Sequence, residues 1–219
     1  MASSPATAQA QAGAPAAPVT ASTAGGPTAP EPVCPVSRDD HNALVRRGAE
    51  LVEPFLVLAD RQPASLDAAR VRAGIACFDR ALVLIPVDWQ LMWMRGKAYQ
   101  ALGEHSAAMA SLRDAWQLQP GEPAIANELG YELVELERAH EAVEVFAAAA
   151  AAHPDDDAAL QANFALALLL DGQLARAKET VARALAANPQ LRIARELAAL
   201  VDDVAAGRRP PPRTLRDLD

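Results

Sequence analysis

The stretch 96–120, GKAYQALGEHSAAMASLRDAWQLQP, decides the fold because its pattern recurs along the chain. Pro120 follows Pro86 by 34 residues, Pro154 follows Pro120 by 34, and Pro189 follows Pro154 by 35. Twelve residues before each of these prolines stands a tiny residue: Gly74, Ala108, Ala142 and Ala177. Eight before it comes a larger apolar one, Phe78, Leu112, Phe146 and Val181, and five before it is Ala81, Ala115, Ala149 and Ala184. Small residues in fixed columns let two helices approach closely, and the larger column fills the layer between them. Pro lacks the N–H that a helix needs and clashes with the preceding turn, so it closes each unit.

A period of 34 with this content resembles the tetratricopeptide repeat family, whose pattern runs W-x2-L-G-x2-Y, then A-x3-F, then P. One unit reads Met92-x2-Arg95-Gly96-x2-Tyr99, Ala108-x3-Leu112, Pro120. The next reads Ala126-x2-Leu129-Gly130-x2-Leu133, Ala142-x3-Phe146, Pro154. The last reads Gln161-x2-Phe164-Ala165-x2-Leu168, Ala177-x3-Val181, Pro189, with one extra residue within Pro154-Asp155-Asp156-Asp157. The resemblance implies an all-α, right-handed α-solenoid of antiparallel helix pairs, in which no pair buries its apolar stripe alone. It covers residues 66–191 and is specific for the fold, not for a partner.

Outward from the repeats, the domain plan is a tail over 1–37, a repeat domain over 38–207 and a second tail over 208–219. The units within the repeat domain are 39–86, 87–120, 121–154 and 155–189, followed by a cap at 190–207. Residues 1–37 carry no charge before Glu31 and consist largely of Ala, Pro, Ser, Thr, Gly and Gln, a composition that cannot offset the entropy of ordering. They are expected to be disordered. Asp39 or Asp40 is placed to cap a first helix carrying Leu44, Val45, Gly48, Leu51, Val52, Phe55 and Leu56, with Pro54 kinking or splitting it. Between Gly48 and Gly74 lie about 14 more residues than the repeat pattern allows, which include the Arg61-Gln62-Pro63-Ala64 loop. Further helices are expected at 65–84, 88–102, 105–118, 123–136, 139–152, 157–171, 174–187 and 190–206. Gly103 and Gly172 suit left-handed helix ends, whereas Glu137 at the equivalent place implies a different or slightly strained turn. The run Arg208-Arg209-Pro210-Pro211-Pro212-Arg213 reads as a solvated basic polyproline tail.

The chain has 51% hydrophobic residues but only 4% aromatic ones, which suits closely packed helices. Its formal net charge is -8, and its only lysines are Lys97 and Lys178, so nucleic acid is not the expected partner. No basic segment leads into an apolar run, and no stretch approaches the length that spans a bilayer, so the expected location is cytoplasmic, with no membrane contact. His41, His105, His140 and His153 stand singly, Cys34 and Cys77 have no metal-ligand spacing, and Cys77 beside Phe78 reads as a buried, inert thiol. Asp155-Asp156-Asp157 reads as a helix start, because a calcium loop needs oxygens continued over about 12 residues. No nucleophile, phosphate or metalloprotease motif is present, so no catalytic residue, metal or cofactor is expected.

What the resemblance implies for function is a non-catalytic scaffold that binds a peptide or helix of a partner protein in its concave groove. The inward positions of the repeat fall on Gln90, Trp93, Lys97 and Gln100 in the second unit, on Asn127 and Tyr131 in the third, and on Leu166, with Asn163 adjacent, in the fourth. Trp93 and Tyr131 would serve as aromatic anchors, and Asn127 or Asn163 as amide clamps on a peptide backbone. A carboxylate clamp of the chaperone-tail type is incomplete, since Lys97 is the only inward lysine. An alternative is a cytoplasmic chaperone for a secretion-system or other client. Trp89, Trp93 and Trp116, if exposed together, would favour self-association.

Overall fold

The protein is described here by a computed structural model covering residues 33–56, 63–153 and 157–218. Among these residues it is all-helical: α1 (His41–Val52), α2 (Ala68–Leu84), α3 (Trp89–Ala101), α4 (His105–Leu118), α5 (Pro123–Glu135), α6 (Ala139–Ala152), α7 (Ala158–Leu170), α8 (Leu174–Ala187) and α9 (Arg192–Ala205). A 3₁₀ turn at Glu53–Phe55 follows α1, and another, Leu215–Leu218, comes after α9. Pro54 sits inside the first of these turns, so the first helix ends just before it, as expected from the lost donor. The disordered-tail expectation falls mostly on 1–32, outside the described residues, as do Arg61, Gln62, Pro154, Asp155 and Asp156.

Two kinds of helix end alternate. The helices that open each unit are capped by acidic side chains, which satisfy exposed N–H groups. Asp40 accepts from Ala43 N at 2.7 Å, Asp88 from Leu91 N at 3.0 Å and Asp157 from Leu160 N at 3.1 Å. The turn inside each later unit runs through a left-handed residue. At Gly172 (φ 75°), Gln173 N bonds to Leu168 O at 2.8 Å and Gly172 N to Leu169 O at 3.1 Å. Glu137 adopts φ 58° and closes the same pair of bonds, from Arg138 N to Leu133 O and from Glu137 N to Val134 O. The turn is therefore conserved in geometry, and the strain expected of a non-glycine residue there is present.

Helices pair as α1/α2, α3/α4, α5/α6 and α7/α8, and each pair packs on the next. Additional contacts join α5 to α7 and α7 to α9, while their alternates α2, α4, α6 and α8 make no comparable contacts with one another. The odd-numbered helices thus form the inner, concave wall, and they are crowded together from α5 to α9. In three units the glycine of the inner helix faces the large apolar residue of its partner. A Cβ on Gly48 would lie 2.4 Å from the Phe78 ring, on Gly96 2.6 Å from Leu112 Cγ, and on Gly130 2.2 Å from the Phe146 ring. The unit that has Ala165 at this place has the smaller Val181 opposite, both buried.

The buried apolar side chains form two clusters. One joins α1, α2 and α3 through residues such as Leu44, Val52, Phe78, Leu91 and Ala98, and the other runs from Leu112 to Val201. Polar groups lie where they meet: Lys97, Ser111 and Glu132 are all buried. Arg95 Nε donates to Ser111 Oγ at 3.1 Å and Arg95 Nη1 to Asp79 at 2.9 Å. The inner helices α3 and α5 are scarcely in contact at this level, unlike α5 and α7.

One sequence expectation is corrected at the leading end of the domain. Cys77 is not a free thiol but is joined to Cys34 by a disulfide, and both sulfur-bearing residues are buried. Arg80 holds the same leading segment, donating to Val36 O at 2.7 Å and pairing with Asp39. Spacing alone hid this bond because the partners are 43 residues apart and one lies in a low-complexity run. The condition set for a tryptophan patch is not met: Trp89, Trp93 and Trp116 are half-buried, and the last two pack on the larger cluster.

Candidate functional site

Among the described residues the concave face carries a proximal and a distal cavity. The proximal one, of about 370 Å³, lies between the 3₁₀ turn after α1 and helices α3 and α5. Its walls are Phe55 and Leu56, Lys97, Gln100 and Ala101, and Glu128 and Tyr131. Phe55 and Leu56 reach it because Pro54 ends α1 and turns the chain inward. Lys97 is engaged rather than free: its ammonium pairs with Glu128 and stands 5.3 Å from the centroid of the Trp93 ring. The Trp93 indole N–H is buried without a hydrogen-bond partner. Tyr131 is half exposed at 49%, and its hydroxyl is pushed up to about 12, first by its hydrogen bond to Glu135 and then by burial.

Behind the cavity wall, Glu132 is fully buried. Burial raises its carboxyl pKa above 4.5, opposed by the Gln100 amide and by His105. His105 Nδ1 lies 3.0 Å from Glu132 Oε2, while Oε1 makes no hydrogen bond of good geometry although Gln100 is near. Sequence reasoning passed over Glu132. The signal was present, because the same repeat position holds Ala98 in the second unit and Ala167 in the fourth.

The predicted site residues are only partly brought together. Gln100, Lys97 and Tyr131 share the proximal cavity, with Trp93 beneath Lys97. Asn127 and Asn163 meet each other instead, Asn163 Nδ2 donating to Asn127 Oδ1 at 3.0 Å. Gln90 is exposed on the first turn of α3, and Leu166 lines the distal cavity near α9. Among the described residues no three His, Cys, Asp or Glu side chains converge as a metal site would require, and no helix is long and apolar enough to cross a membrane.

Fold and face define a helical-repeat solenoid of antiparallel helix pairs. The tetratricopeptide repeat family matches residues 90–122, and the chain has the tetratricopeptide-repeat fold. YrrB, a TPR protein with an unusual peptide-binding site, superimposes with a TM-score of 0.63 at 17% identity, covering 83% of this chain and 86% of that one. MamA residues 41 to the end, from Desulfovibrio magneticus RS-1, give 0.63 at 16% identity over 78% and 88% of the two chains. The first TPR of Spaghetti (RPAP3), bound to the HSP90 peptide SRMEEVD, gives 0.51 at 16% identity over 54% and 93%. In sequence, 82 residues are 27% identical to the transcription factor tau 131 kDa subunit of Saccharomyces cerevisiae, 37% of this chain but only 8% of that protein.

Proposed function

We propose that this chain is a non-catalytic scaffold that receives an extended peptide of a partner protein in the proximal cavity of its concave face. The observation that carries the reading is the cavity itself: an exposed tyrosine and the Gln100 amide above an apolar floor of Phe55 and Leu56. A half-exposed Tyr combines a large apolar area with a polar tip, the profile of an interface anchor. The Asn127–Asn163 pair, one unit further along, supplies amide groups that match a peptide backbone. YrrB and Spaghetti, described as peptide-binding, support a role of this class by shared fold.

The disulfide also bears on location. A buried bond of this kind forms and persists in oxidising surroundings, so it supports an oxidising compartment over the cytoplasm expected from composition. It weighs equally against the cytoplasmic client-chaperone reading.

The test is selection of a displayed random-peptide library on the full chain, followed by measurement of the enriched peptides against Tyr131→Ala/Gln100→Ala. Affinity is expected to fall at least about tenfold, as loss of one aromatic anchor does. Peptides that bind both chains equally would remove the proximal cavity from consideration.

A further inference from the structure

After α9 the chain reverses at Gly207 (φ 69°) and runs back over the concave face. Arg208 Nε donates to Asp203 at 2.8 Å, and the Arg209 guanidinium donates to the Asp217 carbonyl. The Asp217 carboxylate accepts from the N–H groups of Arg213 at 2.8 Å and Thr214 at 2.9 Å, which holds the Leu215–Leu218 turn in shape. Pro212 is buried, and Leu215 packs against the larger apolar cluster. The basic proline run is therefore a strap, where a solvated tail was expected. Leu218 joins Leu166, Ile193, Leu197 and Leu200 around a distal cavity of about 480 Å³, with Glu196 and Asp203 at its rim.

We propose that the concave surface between α7 and α9 is a second docking surface, which takes a short helical turn of a partner protein, and that residues 208–218 are its tethered competitor. The chemistry of the partner follows from what the strap presents. It carries two apolar side chains three residues apart, Leu215 and Leu218, with Arg213 and Arg216 beside Leu215 and, at the other end of the strap, Arg208, which neutralises Asp203. The cavity that Leu218 leaves open fits a partner with a larger side chain at that place. On so short a tether the strap acts at an effective concentration on the order of millimolar, so a partner in trans must outcompete it.

The probe is a fluorescein-labelled peptide with the sequence of residues 208–218 carrying Leu218→Phe, titrated by anisotropy with the full-length chain. A full-length Leu215→Asp/Leu218→Asp variant, which withdraws the strap, is expected to bind it at least about tenfold more tightly than the unaltered chain. Adding Ile193→Asp, at a position 43% exposed, is expected to abolish that binding. Equal binding by the unaltered and strap-withdrawn chains, binding by neither, or binding that survives Ile193→Asp overturns the proposal. Should circular dichroism show the double variant unfolded, Arg209→Ala decides, because it loosens the strap and leaves both leucines in place. A gain in affinity there supports the proposal, and no gain overturns it.

Discussion

Glu132 is a carboxylate in a column of small residues, and its cost to the fold depends on pH. The folded protein holds its proton more tightly than the unfolded chain, because burial outweighs the help from Gln100 and His105. Its contribution to stability is therefore full below the unfolded value and is lost as pH rises through the higher folded one. Glu132→Gln keeps the shape and removes the buried charge. It is expected to melt higher than the unaltered chain near pH 7, with the difference closing toward about pH 4, in a thermal-denaturation series. A variant that melts lower at neutral pH would show that the pairing with His105 wins instead. Residue by residue, the placement of a side chain was legible where repeat position sets its direction, as for Gln100 and Tyr131, which line one cavity. It was not legible where side chains choose each other, as Asn127 chose Asn163 and Lys97 chose Glu128.

Helices and their turns were the most legible scale, because each column records one packing constraint. The glycine of an inner helix and the large residue of its partner form a matched pair, and the fourth unit shows the match in reverse with Ala165 against Val181. Gly130→Ala drives a methyl to 2.2 Å from the Phe146 ring and is expected to destabilise the fold by about 1–3 kcal/mol, the range for overpacking. Phe146→Val made in the same chain is expected to recover part of that loss, which denaturant melts of the single and double variants measure. No recovery would mean that the two positions do not share one space. Helix ends were readable from caps and left-handed residues. The strap was not, since a proline run carries no periodicity and its fold-back depends on which neighbours Asp203 and Asp217 accept bonds from.

At the scale of the whole molecule, the polar layer around Lys97, Ser111 and Glu132 separates a small apolar cluster from a large one, and the disulfide sits wholly within the small one. Repeat solenoids are held by neighbour contacts alone, so such a layer weakens coupling between the halves. A crosslink spanning 43 residues restricts the unfolded chain by about 4 kcal/mol in the loop-entropy account. Cys34→Ser/Cys77→Ser is thus expected to lower the melting temperature by on the order of 10 °C. Hydrogen exchange should localise the loss to α1, α2 and α3, and equal loss throughout would mean that the two clusters unfold as one. The disulfide was invisible to spacing because only the folded α1/α2 pair brings Cys34 onto Cys77. Viewed mechanically, the described helices are a stack of pairs with one riveted end and a softer joint at the polar layer. Tension applied across it opens the joint first, and the proximal cavity is built from side chains on both sides of that joint. A partner seated there would act as a splint, and its grip would report the load on that joint.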